Sequence, residues 1–252
     1  MRLVRFRFGD RIGTGVLDGG RVRVLRGTFF EDPVPTGDEV PLDDVRVLAP
    51  VLPSKVVAVG RNYAQHAAEM GDEVPAEPLL FLKPSTSVIG PGDPVPYPSI
   101  SRELHYEGEL AVVVGRLARR LLPEDAAKAI LGYTCGNDLT LRDLQRTDGQ
   151  WTRAKGFDGS CPLGPWIETE LDPADLAIRT LVNGEVRQDA RTSDLAFGPA
   201  ALIAVVSAFM TLLPGDVIMT GTPAGVGALS VGDRVEVEVE GIGVLANSVV
   251  PG

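Results

Sequence analysis

A mixed, mainly-β fold with short helices is predicted for this chain of 252 residues by three features of its sequence. Short apolar or alternating runs recur along the whole length, glycine and proline signals separate them, and helical stretches are brief and irregularly spaced. A doubly wound α/β architecture would need long helices between successive strands, and the pattern lacks them.

The first fifty residues read as a small β unit. LVRFRF, RIGTGVLDG and GRVRVLRG alternate apolar with polar positions, and Asp18-Gly19-Gly20 marks a turn. This segment carries eight arginines and eight acidic residues, so the whole net charge of −10 belongs to the remainder. Such a unit has little core of its own and is expected to pack against the rest. The proline-bearing VRVLAPVLPSK marks the expected boundary, dividing the chain into a small N-terminal β domain, residues 1–50, and a larger domain, residues 51–252.

In the larger part, VVAVG at 56–60 is a short apolar strand, and the alanine-rich RNYAQHAAEMG favours a helical turn that Gly71 ends. PLLFLKP is a core strand set among turns, and residues 110–115 read as a buried strand. PEDAAKAILG predicts a helix over 123–132, entered at Pro123 and stopped at Gly132. Asn183-Gly184 between alternating runs is a hairpin signal. PAALIAVVSAFMTLLPGD reads as an apolar helix of about fourteen residues, too short to span a bilayer. DVIMTGTP and GDRVEVEVEGIGVLANSVV complete the chain as strands.

Hydrophobic content of 44% with 23% charged residues is that of an ordinary globular protein. The acidic balance argues against a general nucleic-acid surface, which needs clustered Lys and Arg. Two cysteines without CxxC spacing, an N-terminus unlike a signal peptide and no membrane-length apolar run suggest a cytoplasmic protein with no membrane partner.

The stretch HYEGELAVVVG raises the functional question. On a strand, side chains two apart share a face, their Cα atoms about 6.6–6.8 Å apart, so Glu107 and Glu109 can lean toward one ion while Gly108 leaves the opposite face free of bulk. Two close carboxylates call for solvent, a cationic partner or a divalent metal. Taken alone, the pair reads first as a solvated strand end. Asp138 follows Gly136-Asn137 at a bend and alone would be an Asx turn or helix cap. Together the three carboxylates would make a hard, oxygen-rich site suited to Mg²⁺ or Mn²⁺, whereas zinc prefers Cys or His in the set. Asp143, five residues on, is expected to be a surface or ion-pair residue.

His66 and His105 are the only histidines. On a helix His66 would share a face with Glu69, either as a surface pair or as an imidazole whose tautomer the carboxylate holds for general-base work. His105 has the parity of Glu107 and could be a further ligand, a partner of a ligand, or a strand-edge histidine. Lys155 could offer a fixed positive charge to an anionic substrate, with Arg142 and Gln145 as further donors. TGTPAGVG at 220–227 supplies backbone amides for a carboxylate-binding turn or is a plain tight turn; it is no Walker loop and a poor GxGxxG match. A serine-hydrolase elbow, GxSxG, is also missing.

Seven stretches in order, VGRNYAQHAAE, PLLFLKPSTSVIGPGD, HYEGELAVVVG, GYTCGNDLTLRDLQ, RAKGFDGSCPLGP, LVNGEVRQ and LLPGDVIMTGTPAGVG, resemble the fumarylacetoacetate hydrolase family from about residue 56 to 250. Residues 1–50 resemble, more weakly, the small domain often attached to such chains. The resemblance implies a mixed β-roll assembled as a homodimer. It implies that Glu107, Glu109 and Asp138 are ligands for Mg²⁺ or Mn²⁺, that His66 and Glu69 form a proton-transfer dyad, and that Lys155 stands at the active centre. It likewise places Arg142, Gln145 and Thr222 near the oxygens of the substrate. His105 departs from the pattern, since many relatives have an acid there.

The implied activity is that of a divalent-metal-dependent enzyme acting on a small anionic 2-oxo acid through a metal-stabilised enolate. C–C hydrolysis of an acylpyruvate, of the acetylpyruvate or fumarylpyruvate type, is the outcome the His66–Glu69 pair favours, because decarboxylation needs no activated water. An oxaloacetate-type decarboxylase stands close behind, and an isomerase of 2-hydroxyhepta-2,4-diene-1,7-dioate follows. A non-catalytic, metal-stabilised binding protein is the alternative of another class.

Overall fold

Leu110–Val114 is apolar on both faces, and the structure explains why: it belongs to Gly108–Val114, the central strand of the molecule. Leu110, Val112 and Val114 pack with Leu202, Ile203 and Val206 of the helix Pro199–Phe209. Ala111 and Val113 face the other way, onto Val56, Ala58, Leu163, Val217 and Met219. A strand covered on both sides loses polar alternation and reads as a continuous apolar run. The computed structural model describes residues 1–31 and 33–252.

A twelve-stranded sheet among the described residues carries the fold. Its central strand has Ile130–Asn137 on one side, followed by Cys161–Glu168, and Val217–Met219 on the other, followed by Lys55–Gly60 and Leu79–Pro84. The N-terminal meander, Arg2–Phe8, Arg11–Asp18, Arg21–Arg26 and Val34–Pro41, extends this same sheet, because Arg2 and Leu3 pair with Glu168 and Ile167. Its own small core is Val4, Phe6, Leu17 and Val22.

A second sheet of five strands orders Glu185–Arg191, Ala177–Val182, Arg234–Val239, Gly243–Pro251 and Pro94–Tyr97. Its hairpin turns at Asn183 (φ 53°) and Gly184 (φ 82°), the left-handed pair an Asn-Gly turn requires. This second layer crosses close beneath Gly108. A Cβ there would lie 2.0 Å from Thr180 Oγ1, so the space opposite the two glutamates is filled by a neighbouring sheet.

Two expected helices are shorter than their patterns. The helix at Pro123 ends at Ala126, a 3₁₀ turn covers Ala127–Ala129, and Ile130 already begins a strand. Gly132 is therefore no helix stop; it lies in that strand, where a Cβ would come 2.4 Å from the Glu168 carbonyl oxygen. Sheet pairing with Gly108–Val114 overrides the local alanine preference. The apolar helix has 11 residues, Pro199–Phe209, because Leu212 is drawn into a bridge with Ala118. No helix among the described residues is long and apolar enough to cross a membrane.

Asp216 joins the parallel strands Lys55–Gly60 and Val217–Met219 at their starts. Its side chain is fully buried and accepts from the amides of Ser54, Lys55 and Leu213, from Ser54 Oγ at 2.6 Å, and from Lys55 Nζ. Burial pushes its carboxyl up, but the Leu213 amide, Lys55 and Ser54 outweigh that and hold it below the ordinary value of 3.8. A depressed carboxylate contributes stability that is complete above 3.8 and is lost as pH falls through the folded-state value. Asp216→Ala is expected to cost about 3 kcal/mol at neutral pH, since it strands a buried donor set. Urea melts of both proteins should show that difference shrinking below the ordinary value of 3.8, and a gap constant down to acid pH would contradict it.

Candidate metal-binding active site

Antiparallel pairing of the two central strands builds the acidic cluster, at the end away from their connection. Gly108 pairs with Asn137, and the Asp138 amide donates to the Glu107 carbonyl at 2.8 Å, so Asp138 lies beside the glutamates. Glu107 itself falls between the strands Leu104–Tyr106 and Gly108–Val114. Carboxylate oxygens of Glu107, Glu109 and Asp138 lie within 4.8 Å of one another, and all three residues are buried.

Buried charge of this density needs compensation. Lys155 Nζ donates to Glu107 Oε2 at 2.7 Å and to Asp138 Oδ2 at 2.8 Å. Arg142 Nη2 donates to Glu107 Oε1 at 2.6 Å, and its Nη1 to Gln145 Oε1. Lys83, fully buried, donates to Asp138 Oδ1 at 2.6 Å and to the Lys155 carbonyl. Burial alone would push the Glu107 carboxyl up, yet Lys155 and Arg142 hold it well below the usual range. Burial also works against the Lys155 charge, but Asp138 and Glu107 raise its proton affinity above the ordinary value.

Glu109 is the exception. It accepts from the Gly221 amide at 2.7 Å, and no cationic side chain among the described residues reaches its carboxylate. Burial, then Asp138 and Glu107, push its carboxyl well above the ordinary range. A hard divalent cation among three buried carboxylates would remove that strain, so the donor set fits Mg²⁺ or Mn²⁺.

His66 sits in the short helix Ala64–Glu69, and its Nδ1–H donates to Glu69 Oε2 at 3.0 Å. Glu69 in turn accepts from the Gly225 amide. The amides of the TGTPAGVG turn thus bind carboxylates, but those of Glu109 and Glu69. His66, Glu107, Asp138, Arg142, Gln145, Lys155 and Thr222 line one cavity of about 260 Å³. Arg61, Asp72, Phe81, Arg146 and Trp151 complete much of its wall. Every site residue predicted from the sequence lines this cavity except Glu69, behind His66, and Glu109, beneath it.

Thr222 is committed structurally: its Oγ1 donates to the Gly108 carbonyl at 2.9 Å and accepts from Gln188 Nε2 at 2.8 Å. Gln188 also accepts from the Gly108 amide at 3.0 Å, which locks the strand between the glutamates. His105 does not join the acidic cluster; its Nε2 meets Glu103 at 3.1 Å, and Glu103 also binds Arg146. Asp143 forms no ion pair among the described residues, and instead accepts from Ser101 Oγ and the amides of Arg102 and Leu144.

Lys83 and Gln188 escaped the sequence reading. A lysine inside the apolar run PLLFLKP was a usable signal, since an unpaired ammonium cannot be buried there. Gln188 ends one of the matching stretches, LVNGEVRQ, but no local pattern marked its role, because its partners are 80 and 34 residues away in the chain.

Residues 55–250 match the family model described as fumarylacetoacetate (FAA) hydrolase C-terminal, and residues 1–50 match Rv2993c-like, N-terminal. A solved structure named 5-carboxymethyl-2-hydroxymuconate delta-isomerase, from Mycobacterium smegmatis, is 51% identical with a TM-score of 0.94, each chain covered completely. The human protein named oxaloacetate tautomerase FAHD2A, mitochondrial, is 44% identical over 224 residues, 84% of this chain and 71% of that one. Maleylpyruvate hydrolase from Sphingobium sp. SYK-6, solved in complex with manganese(II) ion and pyruvate, is 34% identical with a TM-score of 0.82, again with full coverage of both chains. With four-fifths of its length under the first of these models and its mixed β architecture shared with such structures, the chain belongs to the fumarylacetoacetate hydrolase family.

Proposed function

We propose that this protein is a divalent-metal-dependent enzyme that moves a proton at C3 of a small dicarboxylic 2-oxo acid, interconverting its keto and enol forms. The observation that carries the reading is the placement of His66, tied to Glu69, in the wall of the cavity that also holds the acidic cluster. Glu107, Glu109 and Asp138 are the proposed ligands, and a Mg²⁺ or Mn²⁺ held by them would supply Lewis acidity to the oxygens of the substrate. Lys155 adds a fixed positive charge where negative charge develops on the C2 oxygen. With Nδ1 occupied by Glu69, the imidazole exchanges a proton through Nε2. Arg142 and Gln145 orient the substrate oxygens, and the wall of Phe81 and Trp151 keeps water from the reacting carbon. The names of the isomerase and tautomerase relatives, at 51% and 44% identity, support proton transfer over hydrolysis. The family resemblance implies a homodimer, and the free cysteines Cys135 and Cys161 favour a reducing, cytoplasmic setting.

A second reading, hydrolysis of an acylpyruvate, is supported by the likeness to a maleylpyruvate hydrolase. It uses the same dyad to activate water. Proton NMR in D₂O, with oxaloacetate or acetylpyruvate and with Mg²⁺ or EDTA, separates the two. Metal-dependent exchange at C3 and faster keto–enol equilibration of oxaloacetate are expected. Acetate and pyruvate from acetylpyruvate would move the assignment to hydrolysis, and CO₂ loss alone to decarboxylation. Silence with metal bound would leave a binding protein. His66→Ala should slow C3 exchange by about 10²–10⁴-fold without changing Mg²⁺ affinity; an unchanged exchange rate would remove His66 from the chemistry.

A further inference from the structure

Arg61 is in a backbone conformation that does not suit it. It has φ 58°, one of three non-glycine residues with positive φ among the described residues. Asn183 is another, and its hairpin turn accounts for it. A left-handed conformation costs an ordinary side chain roughly 1–2 kcal/mol, which glycine would avoid. The local chain gives little freedom to relax, because Asn62 beside it is buried and bonded to Phe197 and to the Thr220 carbonyl. Strain held in this way at a cavity wall points to work done by the side chain.

The electrostatics of the cavity indicate which work. Lys155 and Arg142 stand at the acidic cluster, where the proposed C1–C2 head sits, and Arg146 is paired with Glu103. Arg61 lines the same cavity, half-exposed, with Asp72 Oδ2 2.9 Å from its Nη2. A guanidinium has five N–H donors in a planar fork, and a single carboxylate contact leaves the others for a ligand. The Asp72 amide is itself bonded to the Ala67 carbonyl of the His66 helix, so this partner holds the fork beside the dyad.

We propose that Arg61 is the specificity-determining residue for the distal carboxylate of a dicarboxylic 2-oxo acid. This rests on the reading that the acidic cluster binds the C1–C2 head of such an acid through a metal. Head and tail are then read by different groups: the metal and Lys155 at one end, the Arg61 fork at the other. Selection for a dicarboxylic over a monocarboxylic ligand resides in Arg61.

The test is calorimetric titration of the Mn²⁺-loaded protein with three stable ligands. Oxalate has a chelating head only; lactate and malate share a 2-hydroxy-acid head, and malate alone adds a distal carboxylate. Wild type should bind malate about tenfold or more tighter than lactate, in keeping with a charge-assisted bidentate pair. Arg61→Gly, which also relieves the left-handed strain, should abolish that preference, leave oxalate affinity within about twofold, and keep the thermal midpoint, while Arg61→Lys should restore part of the preference. A malate-to-lactate ratio unchanged in Arg61→Gly, or equal losses for all three ligands, would overturn the assignment while leaving the head site intact. Failure of the wild type to bind oxalate with Mn²⁺ would overturn the underlying functional reading, and this inference with it.

Discussion

Glu109→Gln should abolish divalent-metal binding while leaving the metal-free fold at least as stable as wild type. Burial, together with Asp138 and Glu107, holds the Glu109 carboxyl well above its ordinary value of 4.5. An acid raised in the folded state favours its protonated form, so the metal-free fold loses stability as pH rises from 4.5 toward the folded-state value. Glutamine reproduces the neutral shape, and its amide oxygen still accepts from Gly221. The penalty disappears, but so does one of three proposed anionic ligands. Partners that merely orient metal ligands are worth about 10–100-fold in affinity, so loss of a ligand should cost at least about 100-fold. Calorimetry with Mn²⁺ and melts in EDTA test both halves. Wild-type Mn²⁺ affinity in Glu109→Gln would remove this residue from the site.

Lys155→Met should be the most damaging change to the metal-free protein. The ammonium lies between Glu107 and Asp138, 2.7 and 2.8 Å from their oxygens, all of it buried. Its removal leaves two carboxylates facing each other without that cation, and breaking a buried ion pair costs about 3–5 kcal/mol. Arg142 and Lys83 remain on the far oxygens and keep the fold from collapsing altogether. Mn²⁺ should then stabilise Lys155→Met more than wild type, because the cation replaces the missing charge. Turnover is expected to fall by about 10²–10³-fold, the scale for one charge-stabilising donor at a developing oxyanion. Melting curves with EDTA and with Mn²⁺ provide the check; equal midpoints for both proteins in EDTA would refute the account.

Much of the site was legible because its parts are local. Glu107 and Glu109 are two residues apart, His66 and Glu69 three, and each spacing places side chains on one face whatever the distant structure does. Asp138 needed more, since a bend after an apolar strand becomes a ligand position only when that strand pairs beside Glu107. The ordered motifs and their family resemblance supplied that link. The helix expected over 123–132 failed for the opposite reason. Its alanines favour a helix in isolation, but pairing from Ile130 onward buries Gly132 against Glu168.

By itself, then, the sequence determined a mainly-β class, several of the strands and the pairs Glu107–Glu109 and His66–Glu69, which follow from periodicity and short spacing, while Asp138 joined them only through the family resemblance. Tertiary structure decided which of those charges are paired. Lys83 and Lys155 come from segments 55 and 17 residues away from Asp138, yet both bond to it. It also decided why residue 108 must be glycine, since the second sheet and Gln188 meet the strand there. Such contacts join positions distant in the chain, and the energy that selects them arises only when burial removes water from the charges and leaves one partner for each.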